Sequence, residues 1–180
     1  MAELIKTFFP WLVLLSNILF VFCLIAYLAR NSWGKKVINW FGKNALILGV
    51  IVSLTAMVGS LSYSEIVGWE PCFLCWWQRI FIYPQLVLFS IAFRKKDTAV
   101  WRYVVPLAFI AIAISIYHVN IQWGGFSLTP CPATGPSCDK VFAKEFGYIT
   151  LPLMALSASV YLIGLSLANK FQIKNENRNA

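Results

Sequence analysis

The chain has 180 residues, of which 59% are hydrophobic and only 12% charged, with a mean hydropathy of +0.71 and a net charge of +8. That balance excludes an ordinary soluble globule, which is about 45–50% apolar and about 25% charged. It also excludes a nucleic-acid-binding surface, because the Lys and Arg residues fall in short clusters between long apolar runs.

A helix needs roughly 20 mostly apolar residues to cross the hydrocarbon core of a bilayer. Five runs qualify in chain order. The first extends from Phe8 to Ala29. It exceeds the usual apolar stretch of a cleaved signal, and no A-x-A site falls between Ala26 and Arg30, so a retained helix is expected. A short basic connection leads to the second run, Ala45 to Ser62, and a link from Tyr63 to Cys75 leads to the third, Trp76 to Phe93. A second basic connection precedes the fourth, Val100 to Val119. The segment from Asn120 to Gly147 is long enough to suggest a functional loop. Its Gly, Pro and Ser content predicts turns, and its DKVFAKEF stretch predicts a short amphipathic helix lying on the membrane. The fifth run, Tyr148 to Ala168, is followed by a polar tail, Lys170 to Ala180, expected to fray. Backbone polar groups in lipid must be satisfied within the segment, so the fold class is an all-α integral membrane protein.

Cytoplasmic connections are enriched in Lys and Arg. Arg30, Lys35, Lys36, Lys43, Arg94, Lys95, Lys96, Arg102, Lys170, Lys174 and Arg178 all fall on one side of the five-helix arrangement. The other side holds Lys6, Lys140 and Lys144, with Arg79 near the start of the third helix. The N-terminus is therefore expected outside and the C-terminus in the cytoplasm.

This orientation puts Cys72, Cys75, Cys131 and Cys138 in the oxidising compartment, where disulfides persist. Cys23 lies mid-helix and reads as a small buried hydrophobe. Cys72 and Cys75 form a C-x-x-C at the N-terminal edge of the third helix, where unpaired N–H groups and the helix dipole favour thiolate. A purely structural bridge there would close too small a loop to add much stability. A four-thiolate zinc site would want a second close pair, whereas six residues separate Cys131 from Cys138, so no metal centre is expected. Four cysteines allow three connectivities. Local pairing of Cys72 with Cys75 and of Cys131 with Cys138 is expected in the oxidised state, and a stapling role for the second pair stays open. Two dithiols in mutual reach can pass electrons by thiol–disulfide exchange.

The stretch PCFLCWWQRIFIYP beginning at Pro71 resembles the hallmark of the disulfide bond formation protein B (DsbB) family, nearest its BdbC-like members. The resemblance extends through GSLSYSEIVGWEPC upstream, IYHVNIQ around His118 and FGYITLPLMAL after the second pair, covering roughly residues 45 to 168. It implies a bacterial cytoplasmic (inner) membrane protein in which residues 45–168 form a four-helix transmembrane redox domain, residues 1–30 an additional N-terminal transmembrane helix that departs from the family pattern, and residues 169–180 a cytoplasmic tail. It also implies a quinone-dependent thiol oxidase. A DsbA-like thioredoxin-fold oxidase would attack the Cys131–Cys138 disulfide; the sequence leaves open which of the two sulfurs is attacked first, with a lean to Cys138. Electrons would then pass to Cys72–Cys75 and on to ubiquinone or menaquinone.

Arg79 follows Cys75 by one helical turn on the same face. Ionisable residues inside a membrane segment are functional candidates, and a cation here would stabilise both a Cys75 thiolate and a reduced quinone oxygen. Arg79 is therefore assigned to quinone binding, against the alternative of an arginine snorkelling to the interface. Gln78 is expected to point elsewhere. His118, the single histidine, is placed beside the quinone by the resemblance, as a hydrogen-bond donor or proton relay. Glu65 and Glu70 read as solvated interfacial carboxylates. Trp69, Trp76, Trp77 and Trp123 fit an aromatic belt, with Trp76 and Trp77 the candidates to pack on the quinone ring.

Overall fold

The computed structural model describes residues 1–28, 32–125 and 136–179. They form α1 (Ala2–Leu28), α2 (Ser32–Lys43), α3 (Ala45–Leu61), α4 (Phe73–Lys95), α5 (Trp101–Gln122) and α6 (Leu151–Asn179). A π-helical turn, Ser62–Ile66, extends α3, and a 3-10 turn, Thr98–Val100, leads into α5. Among the described residues no strand forms, apart from one isolated antiparallel bridge between Glu145 and Ile149. The expected all-α membrane architecture is what the chain adopts.

Ala2–Ile25, Ala45–Ile66, Thr98–Gln122 and Leu151–Gln172 are long and apolar enough to cross a membrane. α4 has the length, at 23 residues, but Gln78, Arg79, Gln85, Arg94 and Lys95 dilute its apolar character. Such a helix is tolerable in lipid when its polar residues turn inward. Gln78 and Gln85 do so, being buried against the neighbouring helices.

α3 packs on α4 and α6, and α5 packs on the same two, so the four close into a ring with antiparallel neighbours. One core cluster sits at the basic end, where Phe89, Ala92, Val100, Val104 and Leu162 are buried together. There α3 approaches α4 so closely that a Cβ on Gly49 would overlap the Phe89 ring. α1 stands outside the ring against α2, α6 and the π-helical turn.

Three expectations are corrected. The connection after α1 contains α2, a helix that packs on α6 rather than a plain loop. Its Gly42 carbonyl accepts from Asn169, and a Cβ on Gly42 would come within 2.8 Å of the Ala168 carbonyl. For the same reason the segment after Lys170 does not fray at once but continues α6 to Asn179, with Asn169 and Gln172 buried. Finally, DKVFAKEF forms no helix. Phe142 stacks on Trp69 with ring centroids 5.6 Å apart, and Glu145 pairs with Ile149 across a reversal in which Phe146 and Gly147 take φ of 53° and 78°. Long-range packing overrides the local helical pattern.

Candidate active site

The C-x-x-C initiates α4. Cys72 is its N-cap, with an extended backbone (φ −69°, ψ 170°) and a sulfur that accepts the N–H of Cys75 at 3.4 Å. The first turn of a helix presents unpaired N–H groups and the positive end of the dipole, so a sulfur in the capping position is stabilised as thiolate. One helical turn brings the Cys75 sulfur to 2.7 Å from that of Cys72. A disulfide bond spans about 2.05 Å. The two sulfurs are free thiols held close to bonding distance.

α5 supplies the third group. His118 Nε2 lies 3.6 Å from Cys72 Sγ, and His118 and Cys72 are only 1% and 4% exposed. The hydrogen bond from the Cys75 thiol, joined by the His118 imidazole, outweighs burial and holds the Cys72 thiol well below the ordinary thiol range. The helix-end N–H and the His118 imidazole thus favour thiolate at Cys72.

Cys138 is disulfide-bonded and 1% exposed, and it packs in one buried cluster with Cys72, Leu74 and Ile121. Cys131 lies outside the described residues. The burial of Cys138 argues against its being the first sulfur attacked, because exchange requires access of the incoming thiolate to the sulfur. Cys138 instead faces the inner pair.

On the other side of Cys75 a cavity of about 310 Å³ opens between α1, α3, α4 and α6. Cys75, Gln78 and Arg79 line it. Cys72 and His118 lie behind Cys75 and do not form its wall. Arg79 is anchored rather than snorkelling: its Nε donates to Ser60 Oγ at 3.0 Å, and its Nη2 to the Ser60 carbonyl at 3.0 Å and to Ser64 Oγ at 3.1 Å. Ser64 belongs to the π-helical turn, a distortion that recurs at functional sites. Tyr63 and Tyr83 also line the cavity, and their hydroxyl groups are buried without a hydrogen-bond partner among the described residues.

Gln78, expected from spacing to point away, is buried, lines the cavity and donates to Ser115 Oγ on α5 at 3.1 Å. A glutamine inside a membrane-length run is itself a signal, since such a group needs an internal partner. Nor do Trp76 and Trp77 line the cavity; both are exposed, and the Arg79 guanidinium lies over the Trp76 ring at 5.2 Å. The indole on the wall is that of Trp69, stacked between Tyr63 and Phe142.

Cys72, Cys75 and His118 bring their ligand atoms within 4.8 Å of one another, a donor set that suits zinc. Tetrahedral thiolates on zinc stand about 3.8 Å apart, so the 2.7 Å sulfur contact would have to open. The geometry suits exchange better than chelation.

The sequence model of the family described as "Disulfide bond formation protein DsbB" matches residues 42–170. The chain is 44% identical over 115 residues to "Disulfide bond formation protein C" of Bacillus subtilis (strain 168), covering 63% of this chain and 83% of that one. It is 38% identical over 138 residues to "SPbeta prophage-derived disulfide bond formation protein B" of the same organism, covering 76% and 93%. "Probable disulfide formation protein" of Metapseudomonas resinovorans is 38% identical over 121 residues, covering 66% and 84%. No solved structure matches the chain. A helix-capping dithiol, a buried disulfide-bonded cysteine beside it and a family match across the whole four-helix ring converge: the chain belongs to the disulfide bond formation protein DsbB family.

Proposed function

We propose that this protein is a membrane thiol:quinone oxidoreductase that reoxidises an extracytoplasmic, DsbA-like thioredoxin-fold dithiol oxidase and so sustains protein disulfide formation. One observation carries this reading: the Cys72–Cys75 dithiol has two faces, one packed with Cys138 and the other open to a largely apolar cavity. The distribution of basic residues supports a bacterial inner-membrane orientation with the N-terminus and both cysteine pairs outside.

The partner's thiolate attacks Cys131, forming a mixed disulfide and releasing Cys138. Cys138 attacks Cys72 of the Cys72–Cys75 disulfide and releases the Cys75 thiolate. The partner's second thiol resolves the mixed disulfide on Cys131, and the freed Cys131 thiolate displaces Cys72 from Cys138, so that the partner is oxidised, Cys131–Cys138 is restored and Cys72 and Cys75 are left reduced. His118 and the N–H groups at the start of α4 stabilise the Cys72 thiolate. The second sulfur, Cys75, stands on the cavity wall, where its electrons can leave. A quinone held against this wall would supply the two-electron, two-proton acceptor that matches the two electrons and two protons lost by the partner dithiol. The wall fits such an acceptor: a flat ring suits the apolar lining, and Arg79, Tyr63 and Tyr83 offer donors to its oxygens.

Protein in quinone-containing vesicles, supplied with a reduced dithiol partner, is expected to reduce the quinone stoichiometrically with partner disulfide. The Cys72→Ser/Cys75→Ser double variant is expected to lose this by at least about 10³-fold. Quinone reduction that persists in the double variant overturns the reading.

A further inference from the structure

α1 lies outside the residues matched by the family model, yet it is one wall of the cavity. Phe9, Leu12 and Ser16 face into it from α1. Their placement is anchored at several points rather than incidental. Phe9 packs on Gly59 of α3, where an added Cβ would come within 2.9 Å of the ring. Ser16 Oγ lies 3.1 Å from the Tyr161 hydroxyl of α6, which also donates to the side-chain oxygen of Asn17. Trp11 meets Phe146 edge-on with centroids 4.8 Å apart, and Lys6 lies 5.8 Å from the Trp69 ring. The opposite face of α1 is bare, with Leu15 and Ile18 exposed by 61% and 58% as lipid-facing residues would be.

Without α1 the cavity would open laterally between α3 and α6. We propose that α1 is the specificity wall of the acceptor site, with Phe9 and Leu12 setting by their volume which quinone rings enter. This inference rests on the quinone reading above. Side-chain volume discriminates because a well-packed apolar pocket senses single carbon atoms, at about tenfold or more per group.

The test uses the full-length protein and two short-tailed probes, a benzoquinone and a bulkier naphthoquinone. Dissociation constants are measured by quenching of tryptophan fluorescence without any dithiol partner, and kcat/KM is measured with it. Phe9→Ala is expected to shift the affinity ratio about tenfold toward the naphthoquinone. Leu12→Phe, which narrows the cavity, is expected to shift it the opposite way. Leu15→Ala and Ile18→Ala are expected to leave the ratio within about twofold of wild type, since neither side chain reaches the cavity. Wild-type binding with a ratio unchanged in both Phe9→Ala and Leu12→Phe overturns the inference alone. A wild-type protein that neither binds nor reduces either quinone overturns the quinone reading, and the inference with it.

Discussion

At the basic end of the bundle Phe89, Val104 and Leu162 are 1%, 0% and 0% exposed, and only a glycine at position 49 lets α3 and α4 meet over the Phe89 ring. At the cysteine end the same helices stand apart around a cavity, two tyrosine hydroxyls have no partner among the described residues, and a helix ends in a π-helical turn. A close-packed interior maximises dispersion contact and rejects ligands. An open one gives up that contact to keep polar donors aimed at something not part of the chain. Stability and chemistry are thus divided along the membrane normal, and substitutions at the two ends should be separable.

The largest stability effect is expected from Phe89→Ala, about 3–5 kcal/mol by loss of apolar contact and creation of a void. Reversible denaturation in mixed micelles would measure it, and the KM for quinone should stay at the wild-type value. A changed KM would break the division. Gly49→Ala should destabilise by about 1–3 kcal/mol through overpacking against Phe89, by the same assay. At the other end, Arg79→Ala removes a charged donor from the cavity wall, so the KM for quinone should rise about tenfold, together with a loss of about 1–3 kcal/mol of stability from its bonds to Ser60 and Ser64. An unchanged KM would remove Arg79 from the acceptor site. The smallest effect concerns Cys72. Its lowered pKa means that thiolate is present above that pKa and is lost as pH falls through it. In reduced protein, ultraviolet thiolate absorbance should therefore persist at pH 6, where an ordinary thiol near 8.5 is roughly 99% protonated. His118→Ala should move this titration upward. A titration that stays in place would assign the low pKa to the helix end and Cys75 alone.

Much of the fold was legible because lipid imposes a length rule, and the apolar runs located α1, α3, α5 and the start of α6, while the polar last turns of α6 lay beyond the expected end at Ala168. α2 was not, since its twelve residues are too few to span and its Lys35, Lys36 and Lys43 suggested a loop. Its Val37, Ile38 and Phe41 carry a helical period that only packing on α6 makes decisive. At the site, C-x-x-C and Arg79 one turn later were readable from spacing alone. The face of the dithiol that His118 touches was not, because an imidazole on α5 meets a sulfur on α4 only through the ring closure of the bundle. Gln78 and Trp69 escape the sequence for the same reason: which side of a helix looks inward is a property of its neighbours.

The sulfur that caps α4 is, in the proposed cycle, also the one that exchanges bonds. Oxygen caps of Ser, Thr, Asp or Asn contribute about 1 kcal/mol to a helix end, and the Cys72 sulfur holds the same position. Each time Cys72 gives its electrons to a new sulfur, the Cys75 amide loses a charged acceptor, and the first turn of α4 should loosen until the thiolate returns. Catalysis here carries its own mechanical signature: the amide protons of Phe73, Leu74 and Cys75 should exchange with solvent deuterium at rates that beat in time with the oxidation state, making the start of one helix a gauge of how far the enzyme has turned over.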